Sequence, residues 1–292
     1  MGGARAGRWF LLPGLVFLFA IDLVPLIYSA WISFYEWWLL RPRNIRFVGL
    51  GNYLRLATDP EFGRAVVVTT LFTVGAVAVE FLAGLGLALL FAQPMRFLRP
   101  LRVLLLLPLF IVPVVGATMW RVIFHPELGV LNYYLNLAGF GRPAWLGDPT
   151  LALVSITLVD AWRTIPFMFL VLYAGLEMQP AELYEAAAVD GASRWQAFRH
   201  VTVPLLTYIM LVALLIRGMD AFREFDIIFV LTGGGPGTAT QTIQMLNYQV
   251  FGLGHMGLAN SFGMVTLALV ALMCWILMRT ILRPPRRARS AA

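Results

Sequence analysis

Hydrophobic side chains make up 60% of the 292 residues and charged ones only 13%, a balance that excludes a soluble globule and fits repeated passage through a membrane. The net charge of +7 is carried entirely by arginine. With no lysine in the chain, a phosphate loop of the GxxxxGK type is excluded, and ATP binding by that route with it.

Arg5 and Arg8 precede a first apolar run, Trp9 to Tyr35, interrupted only by Asp22. The run is too long for a signal-peptide core and lacks a small-residue cleavage site, so it is expected to stay as a span. A polar loop follows, Glu36 to Arg64, with FVGLGNY and a DPEF turn. The second run, Ala65 to Ala92, carries Glu80 near its middle, and the third, Val103 to Phe124, contains Pro108 and Pro113. Prolines are tolerated in a span where neighbouring helices or water satisfy the freed carbonyls, which points to a bundle interior.

A loop of turn formers and aromatics, His125 to Pro149, leads to the fourth run, Leu151 to Leu176. Its aromatics Tyr133, Tyr134 and Trp145, with the later Tyr248, are expected at the membrane interface. The fifth run begins at Pro204 and ends in LTGGGPGT, where Gly233, Gly234, Gly235 and Pro236 read as a permissive turn at the membrane edge. A polar but aromatic segment, Gln241 to Asn260, precedes the last run, Phe262 to Leu282, and an Arg-rich tail. Six spans place both ends on one side. That side holds about a dozen arginines against roughly seven opposite, so both termini are expected in the cytoplasm. The predicted organisation is all-α: a cytoplasmic N-terminus 1–8, a six-span membrane domain 9–282, and a basic tail 283–292 whose Arg283, Arg286, Arg287 and Arg289 read as membrane-surface anchors, not nucleic-acid contacts.

Between the fourth and fifth runs lies a connector with helix signals of its own, residues 177–206. Pro180 sits where a first helical residue belongs, Glu182 and Glu185 occupy the early turns, and Gly191 stands where a left-handed terminating residue is wanted. Ser193 with Gln196 forms a capping box. Trp195, Phe198 and Val201 then repeat at helical spacing until Pro204, which predicts a second short helix set at an angle. Two short amphipathic helices outside the lipid form a knob suited to a groove on a partner.

Glu185, Ala186 and Ala187, then Asp190, Gly191 and Ala192, then Val203, Pro204 and Leu205 resemble the EAA loop of binding-protein-dependent ABC importer permeases. FVGLGNY, the stretch from GVLNYYL to WLGDP, PFM with AGL, and LTGGGPGTATQT resemble the carbohydrate-uptake branch, and LTGGGP is similar to the first of its two permeases, the maltose, trehalose and polyol type. The resemblance implies a multi-pass inner-membrane subunit working with a second permease, two ATP-binding-cassette ATPase subunits and an extracytoplasmic sugar-binding protein. It implies that Glu185, Ala186, Ala187, Asp190, Gly191, Ala192 and Pro204 belong to the loop that docks on the ATPase. It also implies that this chain binds no cofactor, the partner ATPase using the ATP. Asp22 departs from the pattern, since members usually carry an uncharged residue before the proline.

Ionisable groups at membrane depth cost about 2.5–3.5 kcal/mol each on insertion scales, so each must face a partner or water. Asp160 and Arg163 share a helix face; Arg217, Asp220 and Glu224 follow the same spacing, and so do Arg223 and Asp226. Each pair could be an interhelical salt bridge. Together with Trp162, Phe222 and Phe225 they form a wall of fork donors, carboxylates and aromatic faces, which is what a hydroxyl-rich ring requires. Glu80 reads as bonding to a neighbouring helix. Acids outnumber arginines within the runs, which disfavours phosphate or sulfate and favours a neutral sugar or polyol.

No catalytic constellation appears, and an enzyme is not expected. His125, His200 and His255 lack metal-ligand spacing, and GxSxG, HExxH and CxxC are absent. Cys274, the only cysteine, reads as inert packing and permits no intrachain disulfide. Three alternatives remain open: an ion-coupled secondary transporter, for which an inverted repeat would speak and none is found; import of another small solute, such as a glycerol phosphate, by the same architecture; and a scaffold or receptor subunit without a substrate path, against which the polar fifth run argues.

Overall fold

The computed structural model describes residues 12–93 and 98–281; the predicted N-terminus 1–8 and basic tail 283–292 lie outside them. The described chain is helical apart from one two-stranded hairpin. Five helices are long and apolar enough to cross a membrane: α1 (Leu12–Ile32), α3 (Pro60–Phe91), α7 (Pro149–Glu177), α9 (Arg194–Phe222) and α12 (Met256–Ile281). A sixth would be the pair Pro100–Phe110 and Pro113–Ile123, bent by 100°. The chain packs as two compact units, one built from the described residues up to Ala65 with Leu246–Leu269, the other from Val66–Met245 and the residues after Leu269.

The first unit contains α1, the hairpin β1 (Tyr35–Glu36) and β2 (Arg46–Phe47), and α2 (Gly51–Thr58). Side chains of α1 are exposed from Leu12 to Tyr28, as suits a helix whose solvent is lipid. The FVGLGNY segment has a structural purpose. Buried Asn52 donates to the carbonyls of Ser33 (2.8 Å) and Tyr35 (2.9 Å), and Tyr53 shares a 2.6 Å hydrogen bond with the Ser33 hydroxyl. Trp38 stacks on His255 at 5.4 Å and donates to the Leu253 carbonyl, fastening the loop after β1 to the turn before α12.

The second unit holds the rest of α3, then α4 (Leu98–Leu106) with a 3-10 turn (Leu107–Phe110), α5 (Pro113–Ile123), α6 (Val130–Leu137), α7, α8 (Ala181–Val189), α9, α10 (Asp226–Leu231) and the start of α11 (Ile243–Gly252). Its core has two apolar layers. Phe72, Ala76, Phe124, Ile156 and Ile227 centre one, and Ala88, Met168, Leu172, Leu206 and Ala213 centre the other. At Gly84 a side chain would bring a Cβ to 2.8 Å from Met168 Cβ, so the absence of one lets α3 and α7 approach closely.

Three sequence expectations are corrected by the backbone. The third apolar run is not one straight span, because Ile111 and Val112 take extended angles ahead of Pro113, as the residue preceding a proline prefers. The fifth run is split after Phe222, where Arg223–Phe225 leave the helix and the Glu224 carboxylate accepts from the Ile227 N–H (3.1 Å), capping α10. The expected short helix ending at Pro204 does not exist as a separate element. α9 runs unbroken from Arg194, widening into a π turn at Phe198–Thr202 before the proline. α1 does the same at Phe19–Leu23 ahead of Pro25, which also absorbs Asp22. A wider turn relieves the clash between the proline ring and the preceding turn, so the helix continues where a break is expected.

Trp145, expected at the membrane interface, has inward partners. It stacks on Phe124 (5.6 Å) and donates to buried Asn132 (2.8 Å), tying the loop inward, whereas Tyr133, Tyr134 and Tyr248 are exposed. Asp148 caps α7 through the N–H groups of Thr150 and Leu151.

Candidate functional site

Between the two apolar layers of the second unit lies a buried ionic centre. Arg217 on α9 grips Glu80 on α3 with both arms of its fork, Nε to Oε2 at 2.6 Å and Nη2 to Oε1 at 2.9 Å, and Nη2 also bonds Asp160 Oδ2 on α7. All three side chains are at most 2% exposed. A guanidinium can serve two carboxylates because its donors are fixed in a plane. Glu80 is thus bonded to a neighbouring helix, as its position within the span suggests. Arg217 pairs with acids distant in sequence, not with Asp220 three residues on.

Beside this centre opens a cavity of about 580 Å³, within the range of small-molecule sites. Of the residues that the sequence places in the polar wall, Arg163, Arg217, Asp220, Arg223, Phe225 and Asp226 line it. Asp160 stands behind the wall, with Arg163 Nη2 3.6 Å from its Oδ1 and 3.8 Å from Glu224 Oε2. Trp162 packs edge-on against Trp120 (5.7 Å), and Phe222 is buried. Arg223 pairs with Asp220 at 3.3 Å instead of with Asp226. These two side chains are 59% and 58% exposed, so their attraction is screened and they remain available to a solute.

Glu224, which the sequence already places in the polar wall, also lines the cavity, and Leu109, Thr164, Phe167 and Gln244 complete the lining from outside that wall. Glu224 was visible as a charge at helical spacing. Gln244 arrives from the first turn of α11 and Leu109 from the 3-10 turn before the bend, placements that no local pattern reveals. The acidic excess counted along the sequence persists here. The lining holds three arginines and three carboxylates, but one of those arginines, Arg217, is already shared by Glu80 and Asp160 behind it, so centre and lining together hold three arginines against five carboxylates. Pro166 lies inside α7 without breaking it and has no N–H for the Trp162 carbonyl.

At the other end of α7, α8 closes with both hydrogen bonds of a Schellman ending, Ala192 N–H to the Ala187 carbonyl (2.9 Å) and Gly191 N–H to that of Ala188 (3.1 Å). Gly191 has φ +76°, the left-handed value expected of it. The capping box is present, Ser193 N–H to Gln196 Oε1 at 2.7 Å and Gln196 N–H to Ser193 Oγ at 3.3 Å. Pro180 precedes the first helical residue instead of occupying it. Glu185, Ala186, Asp190 and Pro204 are exposed, and Ala187 and Ala192 are half-buried. Leu183, Val189 and Trp195 expose apolar surface beside them.

The glycine turn is self-closed: Thr240 Oγ1 donates to the Gly235 carbonyl (2.7 Å) and lies 2.7 Å from Thr232 Oγ1, with Gly233 and Gly234 at positive φ. Among the described residues no group of three or more His, Cys, Asp or Glu side chains could hold a metal ion.

Residues 84–284 match the family described as binding-protein-dependent transport system inner membrane component. The trehalose/maltose transport system permease protein of Thermococcus litoralis is 38% identical over 267 residues, covering 91% of this chain and 90% of that protein. The sulfoquinovosyl glycerol transport system permease protein of Agrobacterium fabrum is 37% identical, covering 82% and 78%. In fold, the chain superposes on a chain of a bacterial ABC transporter involved in import of the acidic polysaccharide alginate with a TM-score of 0.82, at 22% identity and with 97% and 96% of the two chains covered. The chain therefore belongs to the binding-protein-dependent inner-membrane components, as a non-catalytic, multi-pass permease subunit of an ABC importer.

Proposed function

We propose that the chain forms part of the path for a neutral sugar or polyol, working with a second permease, two ATPase subunits and an extracytoplasmic binding protein. The observation that carries this reading is the cavity beside Arg217, where Arg163, Asp220, Arg223, Glu224, Asp226 and Gln244 surround two phenylalanines. Vicinal hydroxyls both donate and accept, so paired guanidinium and carboxylate groups suit them, and aromatic faces suit the ring. The acidic excess gives no net attraction for a phosphate or sulfate. Both termini lie in the cytoplasm in this reading, which places residues 177–206 there as the coupling loop and the Gly233–Pro236 turn on the far side. Glu185 meets a basic group of the ATPase, and the apolar residues around it fill a groove.

The test is uptake of labelled trehalose or maltose by the assembled system. Asp220→Asn and Arg163→Ala should each lower uptake at least roughly tenfold, the scale of one charge-assisted hydrogen bond. Sugar binding by the external protein should stay unchanged. Undiminished uptake by both variants would make these residues structural ion pairs and remove the cavity from the path.

A further inference from the structure

α8 needs a rigid connection to the membrane helices if its displacement is to reach the cavity, yet none of its nine residues is buried. A closed ring of hydrogen bonds supplies that connection. Tyr184 on α8 donates its hydroxyl proton to Gln179 Oε1, just after α7. Gln179 Nε2 donates to the Thr202 carbonyl at 3.3 Å, and the Thr202 hydroxyl, with Tyr184 already committed as donor, donates to the Tyr184 oxygen at 2.9 Å. Thr202 is 5% exposed and is the last residue of the π turn in α9. The ring therefore joins the end of α7, α8 and the base of α9 through one phenolic oxygen.

We infer that the Tyr184 hydroxyl is a positioning group that transmits movement of α8 to α9 through Thr202. From Thr202 the unbroken helix runs about 22 Å to Arg217, whose fork holds α3 and α7 and lines the cavity. A break at Pro204 would have lost that leverage. The π turn preserves it, and the ring fastens α8 at the point where the helix is widest. Tyr184 lies outside the set of residues assigned to contact the ATPase. Its effect is on transmission, not on docking.

The inference rests on the coupling reading of residues 177–206, and the experiment separates the two. In the complete purified complex, with Cys274→Ala and the reporter Leu109→Cys in the cavity lining, maleimide labelling of the reporter is followed with and without ATP plus vanadate. With Tyr184 intact the labelling rate should change at least fivefold. In Tyr184→Phe, which keeps the ring and loses only the hydroxyl, and in Thr202→Val, the change should disappear while subunit composition and basal ATP hydrolysis stay the same. Thr202→Ser should retain the response, and Tyr184→Phe with Thr202→Val should be no worse than either alone, since each opens the same ring, Thr202→Val by losing one of the two bonds that Tyr184→Phe loses. A full response in Tyr184→Phe would overturn the inference, as would loss of the ATPase subunits from that variant, which would make the hydroxyl part of the interface. No response with Tyr184 intact would overturn the coupling reading itself.

Discussion

Arg217→Ala is expected to destabilise the chain by about 3–5 kcal/mol, because it leaves the buried Glu80 and Asp160 without their cation, ionised or forced to protonate. Both carboxylates are fully buried, and the single guanidinium serves both. Arg217→Lys should recover little of the loss, since an ammonium has no planar fork to reach two oxygens of Glu80 and one of Asp160 together. Changing the whole group, Glu80→Gln and Asp160→Asn with Arg217→Met, should restore most of the stability by removing the uncompensated charge. Thermal unfolding in detergent micelles, followed by fluorescence, reads the order: wild type and triple variant high, the two single variants low. Equal midpoints for wild type and Arg217→Ala would mean that the centre does not hold α3, α7 and α9 together.

Gly191→Pro should abolish stimulation of the partner ATPase by the sugar-loaded binding protein, while Gly191→Ala keeps most of it. The two substitutions differ physically. Nothing lies within 4 Å of a Cβ built at Gly191, so alanine pays only the left-handed penalty of about 1–2 kcal/mol at φ +76°. Proline cannot adopt that angle and deletes the N–H that bonds the Ala188 carbonyl, dismantling the helix ending that aims α8. The measurement is ATP hydrolysis by the assembled complex at matched expression. Full stimulation in Gly191→Pro would separate this turn from coupling.

Features that depend on a few consecutive residues were legible in the sequence. Gly191 at the end of α8 and the Ser193–Gln196 box at the start of α9 announce themselves because their chemistry is local. The fate of Pro204 was not legible, since a proline predicts either a break or a widened turn and the π turn at Phe198–Thr202 needs the surrounding helices to select it. Arg217 shows why the site was only half visible. Its charge inside an apolar run demanded a partner, and spacing pointed to Asp220, but Glu80 lies 137 residues away and becomes a neighbour only when α3 packs on α9. The same non-locality hid Gln244 and Leu109, which are ordinary residues until the bend at Pro113 and the turn before α11 bring them to one cavity. Arg223 and Asp226 are three apart, yet the helix ends between them, so the spacing rule fails there and Arg223 turns back to Asp220.

In the proposed reading this chain is one part of an ATP-driven path and moves nothing alone. The purified subunit reconstituted by itself in vesicles under a proton or sodium gradient should accumulate no labelled trehalose or maltose. Adding the second permease, the ATPase with ATP on its side of the membrane, and the loaded binding protein on the other should start uptake. Accumulation driven by the gradient in vesicles holding the single chain would contradict the account and make the buried carboxylates ion-coupling sites.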